Sequence, residues 1–327
     1  MQPVSRRACL GLLSAVGASP FAAFAQGAYP ARPLRLVVPY PPGGGNDVLA
    51  RSIKTHWEKA WNQAVVVDNK PGGNGALGTE IVGKAAPDGY TLLMGSIATH
   101  VIGPILKGKS ARYDPARDFV PLAMVGSTPL ILTVHPSVKA NNLKEFIALA
   151  RSKKDNITYA SVGNGSAGHL AGVMFEQLAG VDMLHIPYKG ISQASTELIG
   201  GMVNAAFSNV LNVLPLIRSG KLRALGVTGT QPLGILPEVP PIASVLPGYA
   251  SELWWALFGP AGMPAEVVKK VLAETNAYLS LPEMKKKWAE EGITLTPMSG
   301  PEFTSLIARD TKRWGDLITT RRISEES

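Results

Sequence analysis

Two glycine-rich runs carry the clearest chemical potential in this 327-residue chain: Gly43-Gly44-Gly45-Asn46-Asp47 and Gly163-Asn164-Gly165-Ser166-Ala167-Gly168. Each follows a short apolar run of β-strand type and opens a helical stretch. A helix start presents backbone N–H groups without internal acceptors and the positive end of the helix dipole. Glycine, lacking a Cβ, lets a ligand approach that backbone closely. One such start is a general anion cradle. Two, one from each half of the chain, could pinch a carboxylate from both sides. Either run alone is better read as a tight strand-to-helix turn, so the matched pair is what points to binding. A third segment, Gly95-Ser96-Ile97-Ala98-Thr99-His100, follows another strand run. Its Ser96 and Thr99 hydroxyls and His100 imidazole would face the same crevice, outside the strand ends. Ser96 and Thr99 serve as well as plain caps. His100 and His169 could each meet an anion, although a lone histidine is more often a structural polar group.

Motifs for covalent or metal chemistry are missing, and a nucleotide site is the less favoured reading: no G-x-x-x-x-G-K-[ST] occurs, and Gly43-Gly44-Gly45 is not G-x-G-x-x-G. Ser166 has Asn164 rather than glycine two residues before it, so it is not a nucleophile elbow. The histidines (His56, His100, His135, His169, His185) form neither H-x-H nor H-E-x-x-H, so no metal is expected. No cofactor is expected. Asp114 and Asp118 sit in a turn with Arg112 and Arg117, where surface ion pairing explains them better than acid–base catalysis. A secreted hydrolase or isomerase working in the same cleft is therefore the weaker reading, and a non-enzymatic binding protein the stronger.

The elements that must hold these loops follow a repeated rhythm of strand, glycine-rich loop and helix. Leu34–Val38, Ala64–Asp68 and Thr91–Gly95 read as strands, with a helix from Asn46 or Asp47, as its cap, to about Trp61 and a second ending near Ala86. Val120–Val125 and Leu130–Val134, separated by Ser127-Thr128-Pro129, read as a passage between lobes. Beyond it come a helix at Leu143–Ser152, a strand at Ile157–Ser161, and a helix from His169. Strands at Met183–Ile186, Ala205–Phe207 and Ala224–Val227 alternate with two more helices. The chain returns through a proline-rich stretch, 235–247, to a strand at Leu253–Phe258. Helices follow from Pro264, with one short strand at Ile293–Thr296. Alternating strands and helices argue an α/β fold with mixed, mostly parallel sheets flanked by helices. A chain that leaves one lobe, builds a second and returns makes two inter-lobe crossings. The expected lobes are 26–126 plus 250–327, and 127–249. Such a frame suits hinge closure around a ligand.

Residues 1–25 read as a cleaved signal peptide: Arg6 and Arg7, an apolar run from Ala8 to Phe24, and Ala23-Phe24-Ala25 as the cleavage pattern. Ser5-Arg6-Arg7-Ala8-Cys9-Leu10 also resembles a twin-arginine signal, leaving the general secretory and twin-arginine routes both open. Gly11, Ser14, Gly17, Ser19 and Pro20 interrupt the run and make it a poor membrane span. Cys9 is the one cysteine, so a mature chain would have no disulfide. The expected location is periplasmic, with the mature protein not embedded in a membrane. The net charge of +8 favours anionic partners in general, but the Lys and Arg residues are scattered and no basic run is interleaved with aromatics, which argues against nucleic acid.

Taken together, Pro39-Tyr40-Pro41-Pro42-Gly43-Gly44-Gly45-Asn46-Asp47, Asn69-Lys70-Pro71-Gly72-Gly73-Asn74-Gly75, Pro87-Asp88-Gly89-Tyr90, His185-Ile186-Pro187-Tyr188-Lys189-Gly190, Gly220-Lys221-Leu222-Arg223-Ala224 and Trp254-Trp255-Ala256-Leu257-Phe258-Gly259-Pro260 resemble, in order and spacing, the Bug-type receptors. These are the periplasmic substrate-binding components of tripartite tricarboxylate transporters. The resemblance covers nearly the whole mature chain. It implies a two-lobed type II periplasmic-binding-protein fold closing on a small organic carboxylate. The first glycine-rich loop, with Tyr40 at its start, and the loop from Ser161 to His169 would hold that carboxylate, partly through water. Ser96–His100, Tyr188 and Lys189 would border the pocket. The implied partners are membrane transporter subunits, or alternatively a sensor kinase. Two positions depart from the family pattern. Phe207-Ser208-Asn209 stands where many members have Phe-Asp-Asn, which removes an acceptor for a ligand amine and favours a non-amino carboxylate. Asn46 stands where Thr or Ser is frequent.

Overall fold

Short apolar runs bounded by glycine and proline become a 10-stranded sheet in the computed structural model, which describes residues 29–152 and 156–324. The signal peptide read in residues 1–25 lies outside the described residues. The strands are β1 (Leu34–Val38), β2 (Val65–Asn69), β3 (Thr91–Ser96), β4 (Phe119–Val134), β5 (Thr158–Ser161), β6 (Leu184–Pro187), β7 (Ala205–Asn209), β8 (Arg223–Val227), β9 (Glu252–Pro260) and β10 (Thr294–Ser299). The helices are α1 (Gly45–Trp61), α2 (Ala76–Gly83), α3 (Gly103–Lys107), α4 (Leu143–Arg151), α5 (Ala167–Ala179), α6 (Ile191–Ile199), α7 (Val210–Arg218), α8 (Ala265–Ser280), α9 (Pro282–Glu290) and α10 (Gly300–Thr320). A π-helical turn, Ala98–Ile102, leads into α3.

The strand order is β2-β1-β3-β9-β4-β7-β5-β6, with β8 and β10 each paired to β4. β1 runs parallel to β2 and β3, and β5 runs parallel to β6 and β7. β4 is antiparallel to β7, β8, β9 and β10. Parallel strands need covered faces, and Leu34, Leu36, Val37 and Val38 of β1 are all buried accordingly.

β4 is where the sheet changes hands. From Phe119 to Pro129 it pairs with β9, and from Leu130 to Val134 with β7 and β8. The sequence suggests two strands broken at Ser127-Thr128-Pro129, but the backbone is one strand of 16 residues. Proline is tolerated because Pro129 sits at the exchange of partners, where no regular ladder bond is needed from it. Thr228 stitches the point: its hydroxyl accepts the Leu130 N–H at 2.7 Å and donates to the Ser251 carbonyl.

Local signals misplaced some boundaries. α1 is capped by the Gly44 backbone, not by Asn46 or Asp47, which lie inside its first turn. α2 stops at Gly83 rather than near Ala86. α5 starts at Ala167, two residues before the expected His169, because the Ser166 hydroxyl caps it by accepting the His169 N–H at 3.4 Å.

Three apolar clusters fill the layers. One lies under α1, α8 and α9 around Trp57, Tyr278 and Trp288. One lies under α6 and α7. The largest runs from Leu93 and Phe258 on one side of the exchange point to Phe146 and Phe175 on the other, with Phe303 and Trp314 of α10 against it. No helix among the described residues is long and apolar enough to cross a membrane.

Candidate functional site

The first glycine loop is held from below by its own side chains. Asp47, 3% exposed, accepts the Gly43 N–H at 3.0 Å and Arg51 Nε at 2.9 Å on one carboxylate oxygen, and Asn69 Nδ2 at 2.9 Å on the other. Burial alone would raise its pKa, but the Arg51 guanidinium and the Gly43 and Asn69 donors together hold it below the usual carboxylate range. Asn46 turns inward as well and donates Nδ2 to the carbonyls of Met94 and Gly95 at 2.8 and 3.2 Å. Both side chains therefore build the loop, and the backbone amides at the start of α1 are left as its donors. Gly43 and Gly44 look onto open space, whereas Gly45 lies on the Trp255 indole so closely that a Cβ would fall 2.3 Å from the ring. Tyr40 stands beside Gly75 and Thr99 with its hydroxyl 3.5 Å from the Asn74 carbonyl, and burial raises it to about 12.

The segment after β3 is turned mostly inward. Thr99 Oγ1 accepts the Ser96 N–H at 2.9 Å and donates to the Ser96 carbonyl or to His100 Nδ1, 3.0 and 2.9 Å away. This is the plain cap reading of Thr99. His100 stacks on Phe258 with centroids 3.5 Å apart and planes at 7°. Its Nε2 is buried without a partner among the described residues, and burial drives the imidazole down to about 3. It is a core group and does not face the crevice. The Ser96 hydroxyl is also buried, close to the Tyr40 hydroxyl, and its hydrogen bonding opposes part of the effect of burial on Tyr40.

The second loop is braced from behind by two imidazoles. Gly165 N–H donates to His169 Nδ1 at 2.9 Å, so His169 must carry its proton on Nε2. His169 stacks on His185 at 3.9 Å and 7°. His185 Nε2 in turn meets Ser161 Oγ at 2.7 Å, and that hydroxyl accepts the Gly163 N–H at 3.1 Å. Burial lowers both imidazoles to about 4, with the mutual proximity of the rings adding to it for His169. Positive φ at Gly163 (121°) and Gly165 (71°) makes the turn possible. Gly165 faces Leu106 of α3, where a Cβ would lie 2.2 Å from a leucine methyl. The second loop thus touches the segment that follows β3 across the fold.

Beside this loop lies a cavity of about 230 Å³, between the starts of α5, α6 and α7 and the carboxyl ends of β5 and β7. Of the expected site residues, Ser161, Ala167, Gly168, Ser208 and Asn209 line it. Ala167 and Gly168 are the first two residues of α5, whose amides have no acceptor inside the helix. The first loop, Tyr40, the Ser96–His100 segment, Gly163 to Ser166, His169, Tyr188 and Lys189 are not part of its lining. Tyr188 packs against the α6–α7 cluster, and Lys189 is exposed. β9 connects the two: Leu253 lines the cavity, and Trp255, two residues on, carries Gly45 of the first loop.

The sequence did not point to Ala194, Ser195 and Leu198 of α6, Asn212 of α7, or Leu130 and Leu253, which also line it; Ala160, Val162, Ile191, Ala206 and Phe207 complete the lining. The spacing of Ala194 and Leu198, four apart on one helix face, was the available signal. A roomier groove of about 610 Å³ runs between α1 and α9, but it carries Lys59, Glu283, Lys287 and Glu291 and none of the glycine-loop residues from 43 to 47 or 161 to 169. No cluster of three or more metal-ligating side chains occurs among the described residues.

Comparison with known proteins bears on this geometry. Residues 49–323 match the family described as tripartite tricarboxylate transporter family receptor (TctC). Protein BugT of Bordetella pertussis is 33% identical over 291 residues, covering 89% of this chain and 89% of that protein. Among solved structures, Rhodopseudomonas palustris Rpa4515 with adipate is 30% identical at a TM-score of 0.80, covering 90% of this chain and 99% of that one. MatC (Rpa3494) from the same organism, with bound malate, is 30% identical at a TM-score of 0.74, covering 89% and 100%.

Proposed function

The chain belongs to the tripartite tricarboxylate transporter receptor family, and on that premise we propose that it captures a small organic carboxylate in the periplasm, closes two lobes around it, and delivers it unchanged to membrane transporter subunits. The lobes are residues 26–126 with 250–327, and 127–249. The observation that carries this reading is the cavity at the start of α5, where the helix-start amides of Ala167 and Gly168 meet the lining. Neutral donors of this kind, at the positive end of a helix, favour a carboxylate without chemistry on it. The amides of Gly44, Gly45 and Asn46 at the start of α1 supply the opposing donors, and water fills gaps between amide and carboxylate. Relatives solved with adipate and malate support a carboxylate ligand. Hinge closure is supported by strand β4, which runs on from one sheet half into the other, with β9 paired along its first part.

Isothermal titration against mono-, di- and tricarboxylates, with protein unfolded and refolded to strip carried-over ligand, tests the proposal. Binding of at least one carboxylate, recovered chemically unchanged, is expected. Silence across the whole panel, or recovery of a converted product, would sink it.

A further inference from the structure

We propose that the solute carries its charge at one end only, the cavity taking an uncharged and largely apolar tail, so that the preferred ligand is a monocarboxylate of about aromatic-ring size rather than a dicarboxylate. This deepens the carboxylate-receptor reading and rests on it.

The lining carries no ionisable side chain among the described residues. Its walls are alkyl and aromatic: Leu130, Ile191, Leu198, Phe207 and Leu253. Its polar groups are hydroxyls and amides, and one of them, Asn209, is already engaged, its Oδ1 accepting the Leu211 N–H at 3.0 Å as the cap of α7. The imidazole behind Ser161, His185, meets Ser161 Oγ with Nε2 and His169 with its ring face, lies outside the lining, and is kept neutral by burial down to about pH 4. Lys189 is exposed on the turn before α6 and outside the lining. A second carboxylate would therefore be buried among alkyl walls with no cation to meet it, which is costly. The starts of α6 and α7 offset only part of that cost, since a helix start favours an anion weakly and the cap at Asn209 already answers α7. An uncharged tail meets no such penalty and gains from covering its apolar surface.

Size points the same way. The cavity is about 230 Å³. A dry apolar cavity of about 150 Å³ accepts benzene. There is room for a six-membered ring with a substituent, or a branched or six-carbon chain, and a tail hydroxyl could meet Ser195, Ser208 or Asn212.

The test is calorimetric titration of the refolded full chain with matched pairs on one skeleton: hexanoate against adipate, and benzoate against terephthalate. The monoacid is expected to bind at least tenfold tighter in at least one pair. Equal or tighter binding of the diacid in both pairs overturns the tail assignment and leaves the receptor reading standing. No binding by any carboxylate, including malate and citrate, overturns both. A Ser208→Lys variant, shown to be folded by its thermal melt, places an ammonium in the cavity. It should shift the adipate-to-hexanoate affinity ratio toward adipate by at least tenfold, and an unchanged ratio would show that the tail lies elsewhere.

Discussion

Three histidines work in this protein by staying neutral. His100, His169 and His185 are held at about 3, 4 and 4, against an ordinary value of 6.5, and burial is the leading cause for each. In the unfolded chain they would bind protons as the pH falls through 6.5, whereas in the folded chain they refuse them until far lower. Stability therefore declines as the pH drops from about 6.5 toward 4. His100 makes the cleanest contribution because it is fully enclosed; at pH 5 its share is on the order of 2 kcal/mol, taking about 1.36 kcal/mol per unit. His185 is partly exposed and counts for less. His100→Phe keeps the stack on Phe258 and removes a buried nitrogen without a partner. Urea denaturation of this variant should show a smaller loss of stability between pH 7 and pH 5 than the parent, by roughly that 2 kcal/mol. An identical pH slope in both would mean that His100 titrates freely in the folded state.

At the scale of elements, the start of α1 depends on one close approach. A methyl at Gly45 would collide with the buried Trp255 indole, carried by β9 between its neighbours β3 and β4. Gly45→Ala should lift the helix start off β9, destabilise the chain by about 1–3 kcal/mol as overpacking does, and weaken carboxylate binding at least tenfold. Gly43→Ala has open space around it and should spare the packing, costing only the strain of its 90° φ. Comparable binding by both variants in calorimetry would separate α1 from ligand capture. Asp47→Asn is a third probe. It keeps the shape but removes the charge that Arg51 and the Gly43 amide depend on, and should cost about 1–3 kcal/mol in stability. These dependencies mark what was legible in the sequence. The glycine runs and the strand–loop–helix rhythm were readable because a strand end and a helix start are local patterns. The directions of Asn46 and Asp47 were not, since their partners Met94, Gly95 and Asn69 come from neighbouring strands. Pro129 looked like a break because the exchange of strand partners that tolerates it is a property of the sheet. The α6 wall of the cavity was invisible for a similar reason: Ala194 and Leu198 read as ordinary core until α6 is set beside β5 and β7.

Over the whole molecule, two lobes that hinge need not be two units that unfold separately. β4 is one unbroken strand that pairs with β9 from Phe119 to Pro129 and with β7 and β8 from Leu130 to Val134, and the Thr228 hydroxyl ties Leu130 to Ser251 where the sheet changes partners. The largest apolar cluster continues from Leu93 and Phe258 to Phe146 and Phe175 without a gap. α10 adds a brace: Asp310 accepts Trp254 Nε1 at 2.8 Å and Arg313 donates to the Ala250 carbonyl at 2.8 Å, next to Tyr249, whose hydroxyl reaches the α5 carbonyl of Ala171 at 3.0 Å. Melting one half would strip these contacts from the other, and each half would then expose core that it does not own alone. Scanning calorimetry of the refolded, ligand-free protein should accordingly show one cooperative transition. A bound carboxylate at about a hundred times its Kd should move that transition upward as a unit, by the equivalent of about 2.7 kcal/mol. Truncating α10 before Phe303 removes the brace and should split or broaden the transition. Two resolved transitions in the intact chain, with ligand shifting only one of them, would show that the shared strands do not couple the halves and that closure is carried by a looser joint than β4 and β9 provide.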